Sequence, residues 1–167
     1  MKTRLLLPLL LAAVSLLLWG CKTAQPLQSP VTFYYQNADP FQGMESSILA
    51  GETREAGDRK ADLAYLLNLY LQGPESETLL QVFPQGIRFI SYEIHSGIAH
   101  VVLSDELARL EGISLSIACG CLAKTVMGLD DVSGVRIYAE SQPLDHRDYI
   151  YMDHETLLLL DSDQAEQ

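Results

Sequence analysis

Apolar positions change their period several times along the chain, and each change predicts an element. Residues 31–36, VTFYYQ, are β-branched and aromatic and predict a first strand. NADPFQG (37–43) predicts a turn through its Asn, Asp, Pro and Gly. From Met44 to Gly57 no period dominates, and the stretch reads as a loop with room for a short strand. Asp58 reads as an N-cap. Behind it, Leu63, Leu66, Leu67, Tyr70 and Leu71 recur at three- and four-residue spacing, which marks a helix face running to Gln72. Gly73-Pro74 ends that helix.

A short apolar stretch, TLLQVF (78–83), leads through FPQG into two β-rich runs, IRFISYEI (87–94) and IAHVVLS (98–104). Only His95-Ser96-Gly97 separates them, so they predict a hairpin with His95 in its turn. SDELARLEG then predicts a helical turn capped by Ser104. A second long helix follows from Ile113 to Met127, its face marked by Leu115, Ala118 or Cys119, Leu122 and Val126, with Leu129 beyond. Ala118, Gly120 and Ala123 are small and let this helix lie close to a sheet. After the turn DDVSG, VRIYAE (135–140) predicts the last main strand. Within 142–161, Leu157–Leu160 fits either an edge strand or a short helix, and DSDQAEQ closes the chain as an acidic tail. The order β-α-β-β-α-β predicts an α/β (α+β) two-layer sandwich, with two helices on one face of a mixed sheet.

The N-terminal pattern is of another kind. Leu5 to Trp19 is an apolar run of fifteen residues interrupted by Pro8, whereas a membrane-spanning helix needs about 20. Lys2 and Arg4 ahead of it complete the layout of a signal peptide, residues 1–20. Leu18-Trp19-Gly20-Cys21 resembles a bacterial lipobox, in which the cysteine is acylated, although Trp19 stands where a small residue is usual. Cys21 is therefore the expected lipidation site and palmitate one expected substituent. Residues 21–30, with two prolines, read as a flexible tether. The nine residues after Cys21 reach under roughly 20 Å, which would hold the domain (31–161, then the tail 162–167) close to the membrane.

Charge narrows the partners. The signal segment holds two of the 11 basic residues and none of the 22 acidic ones, so the remaining 147 residues carry nine basic and 22 acidic side chains. Nucleic acid is not expected as a partner, because phosphate binding needs Lys/Arg clusters. Of the three cysteines, Cys119 and Cys121 stand two apart in the second helix and point about 200° away from each other. They cannot grip one metal ion, and they read as small core residues. His95, His100, His146 and His154 form no ligand motif, and no nucleophile elbow, phosphate loop or dinucleotide fingerprint is present. No metal and no cofactor is expected.

Four pieces occur in a recognisable order: VTFYYQNAD, LAYLLNLYLQGP, LLQVFPQGIRFISYEIHSGIAHVVLSDEL and SLSIACGCLAKTVMGLDDVSGVRIYAE. Together, over roughly residues 31–145, they resemble the GerMN domain of sporulation and spore germination, which is found in bacterial lipoproteins. The resemblance implies a small α/β domain at the extracytoplasmic face of the cell membrane, with a role in binding or assembly. The family also resembles ring-building domains of secretion-type assemblies, so oligomerisation stays open. It supplies no catalytic residues. Many relatives carry a second copy or a following immunoglobulin-like domain, and here only one domain is expected.

Three functions fit these observations. The first is a non-enzymatic, membrane-anchored lipoprotein that acts in envelope or sporulation-related assembly through a strand edge or the helix-free sheet face, with a protein partner not identified. The second is a small-ligand-binding lipoprotein with a pocket lined by Tyr34, Tyr92 and Tyr138. The third is an enzyme using a loop that carries His146 and His154 beside acids, in DHRD and MDHE.

Overall fold

The computed structural model describes residues 29–40 and 47–158. The expected signal peptide, Cys21, the tether up to Gln28, Leu159–Leu160 and the acidic tail lie outside the described residues. The chain runs through strand β1 (Pro30–Asn37), β2 (Leu49–Glu55), a 3-10 turn (Gly57–Arg59), helix α1 (Leu63–Tyr70) and β3 (Leu79–Leu80). It continues with β4 (Phe89–His95), β5 (Ile98–Leu103), a second 3-10 turn (Asp105–Arg109), α2 (Gly112–Leu129), β6 (Gly134–Ala139), β7 (Ile150–Asp153) and α3 (His154–Leu158). The class is α+β. The six expected elements are present in their β-α-β-β-α-β order, and β2, β3, β7 and α3 join them.

The strands divide into two sheets where one was expected. One is antiparallel, in the order β2-β1-β3; the other is β4-β5-β6-β7, in which only β5 and β6 run parallel. A parallel pair needs a crossover, and α2 supplies it. The same helix packs against β1 and β2 of the first sheet and β6 and β7 of the second. Residues 118–123 are all buried. Six consecutive buried residues exceed one 3.6-residue turn, so the middle of α2 is covered on every side. Its length and composition would suit a membrane span, but half of it is buried inside the fold. It is the core helix.

That enclosure creates a hydrogen-bonding problem at β1. Beyond Gln36 and Asn37, which pair with β3, the second edge of β1 has no strand partner. The buried hydroxyl of Thr125 on α2 meets part of the need by accepting the Tyr34 N–H at 2.8 Å. Tyr70 of α1 packs against the first sheet: its ring lies tilted 5.0 Å from Tyr35 and 5.7 Å from Phe33, and edge-on 5.6 Å from Phe83. The Tyr35 hydroxyl donates to the Tyr70 carbonyl, and the Tyr70 hydroxyl to the Tyr34 carbonyl. Buried Arg54 donates to Glu52 and to the Gly73 carbonyl, while Glu52 accepts the N–H groups of Glu75 and Ser76. This pair fastens β2 to the chain leaving α1.

Three local expectations change. The N-cap of α1 is Asp62, not Asp58: its carboxylate accepts the Tyr65 N–H at 2.9 Å and pairs with Arg59 at 2.8 Å, while Asp58 lies within the preceding 3-10 turn. Ser104 precedes its 3-10 turn without capping it, because its hydroxyl accepts the Arg88 N–H and donates to Glu106. His95 closes β4, and the turn proper is Ser96–Gly97, both at positive φ (54° and 76°), the form that suits a two-residue hairpin.

Thr125→Val keeps the shape of the side chain and removes the acceptor. It should destabilise the fold by about 1–3 kcal/mol, the cost of an orphaned buried donor. Thr125→Ser should stay nearer the wild type. Urea unfolding midpoints check this, and an unshifted Thr125→Val midpoint would speak against the assigned bond.

Candidate functional site: the open face of the four-stranded sheet

Alternate residues of a strand point to opposite faces. On the second sheet, Ala99, Val101, Leu103, Val135 and Ile137 are buried, and they form the face turned to α2. The other face is set by the register. His100 stands opposite Glu93 on β4 and Arg136 on β6, and Arg136 stands opposite Tyr151 on β7. Tyr138, two residues past Arg136, shares this face.

The face carries a continuous row of rings. His95 and His100 lie 5.2 Å apart edge to face, His100 and Tyr138 5.8 Å apart and stacked, and Tyr138 and Tyr149 5.4 Å apart. The Tyr138 hydroxyl and His100 Nδ1 share a 3.1 Å hydrogen bond. Glu93 pairs with His95 at 2.9 Å. Tyr151 lies across Gly134 so closely that a Cβ there would stand 2.7 Å from its hydroxyl, so a larger residue at 134 would require the ring to shift. Burial holds the His100 pKa below the usual imidazole value, helped by Arg136 and His95 and opposed by Glu93. The shift favours the neutral form of His100.

Arg136 sits at the centre. Its guanidinium lies 5.0 Å from the Tyr149 ring centroid. Among the described residues no carboxylate pairs with it, and its Nε is shut off from solvent without a hydrogen-bond partner. In a chain with twice as many acids as bases, that is an uncommon position for an arginine. Rings, hydroxyls and one unpaired cation on an open surface are the makings of a docking site, since Tyr and Arg dominate binding hot spots.

The structure disperses most residues singled out from the sequence. Cys119 and Cys121 are free and fully buried, and burial pushes each thiol up to about 12. Among the described residues no group of three or more His, Cys, Asp or Glu is placed to hold a metal ion. His146 is exposed in the turn Leu144–Arg147, where it and Asp145 both take positive φ (64° and 50°). His154 starts α3 and is also exposed; the two histidines sit on separate elements and share no bond. Tyr34, Tyr92 and Tyr138 line no common pocket. Tyr92 stands opposite Val101 on the inner face and bonds Asp130 at 2.9 Å, while Tyr138 is on the open face. Tyr34, under the Lys124 ammonium at 4.7 Å, borders a groove of about 500 Å³ with Met127 and Leu157. Arg136 was the residue that sequence reasoning missed. The alternation Arg136-x-Tyr138 and Tyr149-x-Tyr151 was the available signal, at the period that puts each pair on one face.

This geometry defines a small α+β domain of two sheets wrapped on one helix. The chain belongs to the Germane family, described as sporulation and spore germination, whose model matches residues 32–145. Its fold is similar to the tandem GerMN domains of the sporulation protein GerM from Bacillus subtilis, with a TM-score of 0.59 and 16% identity over 82% of this chain and 50% of that one. The chain thus spans about half the length of that tandem. The first GerMN domain of the same protein matches with a TM-score of 0.57 and 11% identity, over 74% of this chain and 94% of that domain. At these identities the likeness is one of fold. No curated protein matches the chain.

The raised thiol pKa values carry a chemical test. In the folded protein at pH 8, Cys119 and Cys121 should resist iodoacetamide, and both should be alkylated once urea unfolds the chain. Mass spectrometry counts the adducts; alkylation of either thiol in the folded state at the rate of a free thiol would contradict their enclosure.

Proposed function

We propose that this chain is a membrane-anchored lipoprotein whose GerMN domain binds a protein partner in the cell envelope, without catalysis, during sporulation or spore germination. Family membership supports the sporulation context. The observation that carries the binding role is the open sheet face around Arg136, a concentration of rings and one cation that, among the described residues, has no ion pair and no helix over it. The anchor would be Cys21, acylated after removal of residues 1–20, with the domain on the extracytoplasmic face of the membrane. Two or more acyl chains give stable attachment, where one alone is marginal. The tether, residues 21–30, would then keep the domain within about 20 Å of the lipid.

Two experiments separate the parts of this reading. Cells fed labelled palmitate should label the wild type and not Cys21→Ser; equal labelling of both sinks acylation at this site. A photo-crosslinking residue placed at Tyr149 in sporulating cells should give a protein adduct, and the same residue at Asn68, exposed on α1, should not. Adducts of equal yield from both positions would remove the open face as the binding surface.

A further inference from the structure

The open face also indicates the chemistry of what it binds; this step rests on the binding role proposed above. Among the described residues Arg136 is held by ring contact and by no ion pair. Its Nε is closed off, so a carboxylate from outside would be taken end-on by the two Nη groups, with two charge-assisted hydrogen bonds. The acids already on the face are committed: Glu93 to His95, and Asp153, opposite Gly134, to the N–H and hydroxyl of Thr156. The carboxylate must therefore come from elsewhere. His100 and Tyr151 flank Arg136 in the register and Tyr149 lies against it, so the rings offer the bound group apolar contact.

We propose that this face docks an acidic segment of a partner protein, one Asp or Glu of which is held by Arg136 between His100, Tyr149 and Tyr151. A polypeptide fits better than a small anion because the ring row crosses the whole sheet from His95 on β4 to Tyr149 beside β7, and the face has no enclosing walls. Phosphate polymers and anionic lipid surfaces need clusters of cations, and among the described residues this face has one, Arg136. With residues 1–20 removed the chain holds nine basic and 22 acidic residues, and that excess repels an acidic partner at long range. Recognition is therefore by close pairing, and association is slow.

The test uses the full chain in detergent micelles and two fluorescein-labelled decapeptides, one alternating Glu with Val and one alternating Gln with Val. Fluorescence anisotropy should show the Glu peptide binding at least about ten-fold more tightly than the Gln peptide, and Arg136→Gln should abolish that difference. Arg136→Lys, which keeps charge but not the planar fork, should fall between. If Arg136→Gln does not fold, the wild type still decides the matter. The Arg136 Nη–H resonances should move downfield with the Glu peptide and stay in place with the Gln peptide. Equal binding of the two peptides, full Glu-peptide binding by folded Arg136→Gln, or unmoved Nη–H resonances overturn the proposal. So does binding seen only after residues 162–167 are deleted, which would assign the face to the chain's own acidic tail, or self-association in place of peptide binding. Loss of the acid preference with crosslinking from Tyr149 retained overturns the chemistry alone and leaves the binding surface standing.

Discussion

The enclosure of α2 on all sides is the constraint from which the rest of the fold follows. A helix buried all round must offer something small or apolar in every direction. The run Ala118-Cys119-Gly120-Cys121-Leu122-Ala123 does so, with small residues letting both sheets approach. Two sheets are needed because one sheet covers only one side of a helix. Thr125 is the one buried polar group of α2, and its hydroxyl answers a strand N–H that the helix itself keeps from pairing with a further strand. The two sheets are thus held apart and held together by the same element.

The polar groups brought inside by this arrangement are tied down on the side of the first sheet. Arg54, Glu52, Tyr35 and Tyr70 form one connected set over the core face of β1, and each has at least one bonded partner. Burial raises the Tyr35 and Tyr70 hydroxyls well above their usual range, so they act as neutral donors and not as acids. The second sheet contrasts with this. Its inner face is apolar against α2 apart from Tyr92, whose hydroxyl bonds Asp130, and its outer face carries histidines and tyrosines around an arginine whose Nε the fold leaves without a partner. Stability is concentrated in one half and unspent recognition chemistry in the other.

The main helices and the hairpin were legible because their periods are clean. β2 was not, because GETRE carries charge at positions that turn out to be inward. Arg54 is buried by virtue of Glu52 and Gly73, partners that alternation alone does not reveal. The two sheets were legible in hindsight from one detail. Two cysteines pointing about 200° apart, both read as core, already require cover on opposite sides of the helix. The cap of α1 was misplaced by four residues because Asp58 and Asp62 are equivalent as sequence, and only the reach of Arg59 and the Tyr65 N–H tells them apart. The open face was half legible: the tyrosine alternation near residues 149–151 was visible, but its convergence with His100 and Arg136 depends on β5 and β6 pairing in parallel through α2, a contact between residues distant in sequence.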